Sequence, residues 1–178
     1  MDTGTPITVA AAGYPSLDLA LQDHESLWRA RQEGSFHHSA LAVLAQRADG
    51  SFRIIRENNS ACSVVWGDAL LVGALFLLLP RFGARMLSLT DRDGRSAIVR
   101  HFHRHIALDD LVTAAELLDS SRFGLAAVLV NRTGADVTAQ LGHADRTHVM
   151  DMEWGDLEEG LREDLTAPSS EPALLVAT

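Results

Sequence analysis

The sequence predicts an α+β fold, specifically a ferredoxin-like sandwich with an apolar helical insertion. Short apolar runs alternate with amphipathic stretches in a β-α-β-β order before residue 60 and an α-β-α-β-α order after residue 105. Asp49-Gly50 separates two strand-like runs and is typical of the tight turns that join antiparallel strands. Between the halves lies Ala61–Pro80, a stretch that is almost wholly apolar and in which only Asp68 is charged.

The length of 178 residues suits one domain that is large enough to bury a real core. We expect a single α+β domain over residues 5–166, with the helical insertion at about residues 60–105. Residues 167–178 are expected to form a flexible tail, because Pro168 and Pro172 lack the amide donors of regular structure. The apolar end of this tail, 173–178, is a candidate for docking on a partner.

The first element is predicted to be a strand, Ile7 to Tyr14, which is a short apolar run. Ser16 is expected to cap the helix that follows, and Asp18 is favourable in its first turn. This helix should run to about Ala30 and end at Glu33-Gly34. Its approximate apolar stripe comprises Leu17, Ala20, Leu21, Ser26 and Leu27.

A β-hairpin is predicted next, with strands at Phe36–Arg47 and Ser51–Glu57 on either side of the Asp49-Gly50 turn. In the second strand Phe52 and Ile54 are expected to share one face.

The apolar insertion is predicted to be a buried or interfacial helix. Its continuous apolar run, Ala69 to Pro80, has 12 residues, whereas a membrane span needs about 20. A span that extended back to Ala61 would carry the Asp68 carboxylate at its centre, which is costly. We therefore expect an oligomer interface, with membrane contact as the less favoured alternative. The interface residues are expected to be Leu70, Leu71, Ala74, Leu75 and Leu78.

After the insertion, Asp109 or Asp110 is expected to cap a helix, and Gly124–Asn131 is expected to be a central strand because it is apolar on both faces. The inward positions of that helix are expected to be Leu111, Ala114, Ala115 and Leu118.

The last predicted elements are a short helix, a strand and a final helix. They are expected at Thr133–His143, Thr147–Trp154 and Asp156–Leu165. Helices are expected to cover one face of the sheet. The other face would be open unless a second subunit or the insertion covers it, and this is the reason to expect a homo-oligomer.

Three groups of residues together resemble the DUF1269 family of bacterial proteins of unknown function, which are often labelled predicted membrane proteins. The first group is Tyr14-Pro15 before a helix, followed by Ala40–Leu44 and then by Ala48-Asp49-Gly50. The second group lies in the insertion and comprises Trp66-Gly67, Gly73 and Pro80. The third group is Ile106–Leu111, which opens a helix before the strand Leu125–Val130. The resemblance covers roughly residues 7–165 and implies a small α+β domain with an apolar insertion, but no activity. This chain departs from the family pattern in the bulky leucines of its insertion and in Ser39, where an acidic residue is common.

The composition argues against some classes of partner and cofactor. The net charge of −9 argues against nucleic acid, whose phosphates require a basic surface. Cys62 is the only cysteine, which excludes an internal disulfide and fits a reducing cytoplasm. No nucleophile, phosphate-loop or dinucleotide motif is present, so no cofactor is expected.

Two weaker site candidates remain. His101 and His105 share a face if they lie on a helix, and this spacing suits two ligands of a transition metal. A complete ligand set is missing, so a metal site is not expected. An apolar ligand pocket is the second candidate, with core packing as the alternative, and its residues would be Trp66, Met150, Met152 and Trp154.

The sequence therefore favours a non-enzymatic, self-associating α+β protein whose insertion forms an oligomer interface. The alternative is a small-molecule or metal-binding enzyme or sensor that uses His101, His105 and an apolar cavity.

Overall fold

The computed structural model describes residues 5–60 and 107–154, and it confirms the α+β class. Within these ranges five strands form one antiparallel sheet, and two α-helices pack against it. The elements are β1 (Thr5–Tyr14), α1 (Leu17–Gln32), β2 (His38–Gln46), β3 (Phe52–Asn59), α2 (Leu108–Asp119), β4 (Phe123–Val130), a short 3₁₀ helix (Thr138–Gln140) and β5 (Arg146–Trp154).

The strand order is β3-β2-β4-β1-β5, so the apolar strand β4 lies at the centre, as its sequence predicted. β1 and β2 both pair antiparallel with β4 and therefore run parallel to each other on its two sides. α1 makes the connection between them. The predicted hairpin is confirmed as the β2–β3 pair, although a register shift between Val43 and Leu44 interrupts its ladder.

Helix α1 begins and ends at the residues that the sequence predicted. Ser16 is the N-cap, and its side chain accepts a hydrogen bond from the Leu19 backbone N–H at 3.4 Å. At the other end, Gly34 takes a φ of +90° and donates to the Arg31 carbonyl, while Ser35 donates to the Ala30 carbonyl. This pair of bonds is the Schellman motif, which favours glycine because a side chain disfavours positive φ.

The two helices lie on opposite faces of the sheet. α1 packs on the face that carries Ala10, Ala12 and Tyr14 of β1. Successive strand residues point to opposite faces, so Gly13 belongs to the other face. On that face Gly13 lies close to Leu117 of α2 and to Ser121, which follows the C-cap residue of α2. A Cβ atom at Gly13 would lie 2.2 Å from Ser121 Oγ. The expected ferredoxin-like sandwich is thus not established, because we predicted that the helices would cover one face only.

Two local predictions are wrong. Neither Asp109 nor Asp110 caps α2: Ala107 is the N-cap, without a side-chain hydrogen bond, and both aspartates lie in the first turn. Thr133–His143 is not a helix beyond the 3₁₀ turn at Thr138–Gln140. The Asn131 side chain bonds the Ala135 amide and carbonyl, both at 2.9 Å, and such local bonds compete with helix formation.

The apolar insertion at about residues 60–105, the last predicted helix at Asp156–Leu165 and the tail at 167–178 all lie outside the described residues, except for Ser60. Across 5–60 and 107–154, no helix has both the length and the hydropathy that crossing a membrane requires.

Candidate acid–base site between helix α1 and the β4–β5 loop

The loop between β4 and β5, residues 131–145, lies along helix α1. Val137 and Leu141 are buried and belong to the same core cluster as α1. Polar contacts also hold the loop: Ser26 Oγ on α1 donates to Gln140 Oε1 at 2.9 Å, and Asp23 on α1 contacts His143. The fold therefore brings polar residues 120 positions apart in sequence into one site.

Asp23 and His143 form the closest polar pair of this site. His143 Nδ1 lies 2.6 Å from Asp23 Oδ1, and the His143 backbone N–H donates to Asp23 Oδ2 at 3.0 Å. The Asp23 side chain is only 2% exposed, whereas that of His143 is 49% exposed. With Nδ1–H donating to the carboxylate, the tautomer leaves the Nε2 lone pair to accept a proton. The pair thus combines a buried, fixed carboxylate with a solvent-accessible imidazole.

Tyr14, the last residue of β1, adds a protonated hydroxyl near this pair. Burial raises the pKa of Tyr14 well above its usual value of 10, and the negative charge of the nearby Asp23 carboxylate raises it further. The phenol therefore remains neutral at all physiological pH values. The Tyr14 oxygen is buried and has no hydrogen-bond partner among the described residues. The close polar contact of Asp23 is therefore the one with His143.

His24, the next residue on α1, is a different kind of histidine. It is 0% exposed, and neither ring nitrogen has a hydrogen-bond partner within residues 5–60 and 107–154. Burial is the largest cause that lowers its pKa, and the charge of Arg56 adds to it; with a smaller opposite effect of Glu25, the pKa of His24 is about 4. His24 is therefore a neutral core residue near pH 7 and not a proton acceptor for ligands.

A second histidine–aspartate pair offers a natural comparison. His148 Nε2 on β5 lies 3.2 Å from Asp110 Oδ1 on α2. Here the carboxylate is the exposed partner, with its side chain 48% exposed against 23% for the histidine. A solvated carboxylate orients an imidazole less firmly, because water competes for its hydrogen bonds. The Asp23–His143 pair is thus the better preorganised of the two.

The site residues predicted from the sequence fall mostly elsewhere. His101, His105, Trp66 and the five expected interface residues lie outside the described residues. Met150 is buried and pairs with Val9 across β1–β5, and the same register pairs Met152 with Ile7 and Trp154 with Thr5. An apolar pocket at these residues stays a prediction. Among the residues that the structure describes, no group of three or more histidine, cysteine, aspartate or glutamate residues could hold a metal ion.

Sequence reasoning missed Asp23, His24 and His143. One signal was present: Ala20, Asp23, Leu27 and Ala30 follow the three- and four-residue spacing of a buried helix face. Asp23 is a charged residue at a core position of that face, and buried charges of this kind are paired in native proteins. The pattern could have marked Asp23 as a partnered residue, but it could not have named the partner.

Fold and site together define an antiparallel α+β protein with a buried carboxylate that orients an exposed histidine. Comparison with protein-family models, with curated proteins and with solved structures gave no significant match. The resemblance to the DUF1269 family thus stays a prediction from the sequence.

Proposed function

We propose that the protein acts on a small molecule by general acid–base chemistry, with His143 as the proton acceptor. The supporting observation is the pairing of the half-exposed His143 imidazole with the buried Asp23 carboxylate. Asp23 is the positioning residue: it fixes the ring and its tautomer, and it stabilises the imidazolium that forms when Nε2 takes a proton. A positioned general base of this kind contributes typically about 10²- to 10⁴-fold to a rate.

The proposal can be tested without knowledge of the natural substrate. 5-Nitrobenzisoxazole opens its ring when a base removes its C–H proton and the N–O bond breaks to give a coloured phenolate, so it reports proton abstraction directly; free imidazole at the same concentration is the benchmark. We expect the protein to exceed this benchmark and His143→Gln to lose most of the excess. His148→Gln is the matched control, because it removes the other histidine of a histidine–aspartate pair and should retain the rate.

The Asp23→Asn variant tests whether the rate depends on the orientation of the His143 imidazole or only on its presence. It keeps the side-chain volume but removes the charge, so we expect a lower rate with His143 still accessible to diethyl pyrocarbonate. A wild-type rate no higher than that of imidazole, or an unchanged rate in His143→Gln, would contradict the acid–base role.

Self-association through the apolar insertion is the second proposed function. The support for this proposal is that the described residues expose only one large hydrophobic side chain, that of Val112, at 45% exposure. An apolar interface would therefore need residues outside those ranges, and Leu70, Leu71, Ala74, Leu75 and Leu78 supply them in the sequence. On this proposal the protein is a cytoplasmic homo-oligomer related to the DUF1269 family.

A further inference from the structure

A separate pocket lies beyond the C-terminal end of α1. Its volume is about 340 Å³, and its lining comprises Arg31, Gln32, Gly34, Phe36, His37, Arg132 and Thr133. Three segments build it: the last turn of α1, the connection to β2 and the start of the β4–β5 loop. Thr133 Oγ1 donates to the Ser35 carbonyl at 2.6 Å and joins two of these segments.

The lining is basic although the chain is acidic. Arg31, His37 and Arg132 face the pocket, and it has no carboxylate among its lining residues. Neither arginine forms an ion pair with any residue in the described ranges. In a protein with a net charge of −9, two arginines that share one cavity and have no counter-ion among the described residues indicate an anion site.

Two features of Arg31 and the pKa of a neighbouring histidine also point to a ligand here. The Arg31 Nε atom is buried and has no hydrogen-bond partner, although a buried charged donor normally has one. The Arg31 guanidinium also lies 5.7 Å from the centre of the Trp28 ring, and this contact limits its freedom. Next to the pocket, the pKa of His38 is lowered by burial and then by the positive charges of His37, Arg31 and Arg132.

We infer that this pocket binds the phosphoryl group of a small organic phosphate ester. Two guanidinium groups match the charge and the fork geometry of a phosphate dianion, while the His37 imidazole supplies a further polar contact. The pocket volume lies at the lower end of the range of about 300–1,000 Å³ for small-molecule sites. It therefore has room for a short organic group beside the phosphate.

This site goes beyond the proposed acid–base function and does not rest on it. Arg31 follows Asp23 by eight residues on α1, which corresponds to about 12 Å along the helix axis. Either site can therefore fail its test without affecting the other.

Isothermal titration calorimetry in a chloride buffer tests the inference with three probes: glycerol 1-phosphate, inorganic phosphate and glycerol. We expect saturable one-to-one binding of glycerol 1-phosphate, weaker binding of inorganic phosphate and none of glycerol. Arg132→Gln, at an exposed position, should lower the affinity for glycerol 1-phosphate at least tenfold. Arg31→Gln should do the same. Arg29→Gln is the matched control, because Arg29 is an exposed basic residue of the same last turn that does not line the pocket.

Each alternative outcome overturns a stated part of the inference. Inorganic phosphate that binds as tightly as the ester would make the ligand free phosphate and not an organic ester. Absence of binding by both phosphates, or equal weakening by Arg29→Gln and Arg132→Gln, would show that the pocket recognises no phosphoryl group.

Discussion

Buried His24 should make the stability of the fold depend on pH. Its pKa is lowered from 6.5 to about 4 in the folded protein, so as the pH falls the unfolded chain binds a proton before the folded chain does. Its contribution to stability is therefore complete above about pH 6.5 and is lost as the pH falls towards 4. The difference of about 2.5 pKa units corresponds to roughly 3 kcal/mol in total, of which about 2 kcal/mol is lost by pH 5.

Urea unfolding at pH 7.5 and pH 5.0 measures this loss when wild type is compared with His24→Leu. Leucine is apolar, has a similar volume and cannot bind a proton, so the variant lacks this pH dependence. We expect wild type to lose about 2 kcal/mol more of its unfolding free energy than the variant. The other titrating groups are present in both proteins and cancel in the difference. His37→Gln, which removes an exposed histidine, controls for the loss of a histidine as such.

The variant should also be at least as stable as wild type at pH 7.5. Both ring nitrogens of His24 are buried and have no hydrogen-bond partner in the part of the chain that the structure describes. An apolar group of similar shape avoids the cost of burying them unpaired. If wild type and His24→Leu lose equal stability between pH 7.5 and pH 5.0, protonation of His24 is not coupled to unfolding and the reasoning from its burial is refuted.

Three further predictions concern packing, assembly and the tail. Gly13→Ala should lower the unfolding free energy by about 1–3 kcal/mol, because the added Cβ would meet Ser121 Oγ at 2.2 Å. Gly142→Ala, with nothing within 4 Å of its added Cβ, should change stability little, and urea melts of both variants check the contrast. Leu71→Asp combined with Leu78→Asp should dissociate or unfold the expected oligomer, and an unchanged assembly mass for the folded double variant would contradict the interface. Deletion of residues 168–178 should leave the melting temperature nearly unchanged, whereas unfolding would place the tail in the core.

Local signals in the sequence predicted the strands and the first helix well. β1, the β2–β3 hairpin, β4 and β5 all appear close to their predicted positions, because apolar runs bounded by turn residues have few other ways to fold. Ser16 and Gly34 marked the two ends of α1 because capping depends on residues within one helical turn. The prediction failed at Thr133–His143, where the bonds from Asn131 to Ala135 outweigh a weak helical pattern.

The sequence by itself determined the α+β class, the central position of β4 and the ends of α1, since these follow from hydrophobic periodicity and local capping. Only the tertiary structure decided which sheet face each helix covers, because periodicity shows that a helix has an apolar side but not where that side packs. The tertiary structure also decided which residues come together in the candidate sites. Asp23 meets His143 across 120 positions, and Arg31 meets Arg132 at one pocket, because the β4–β5 loop packs along α1.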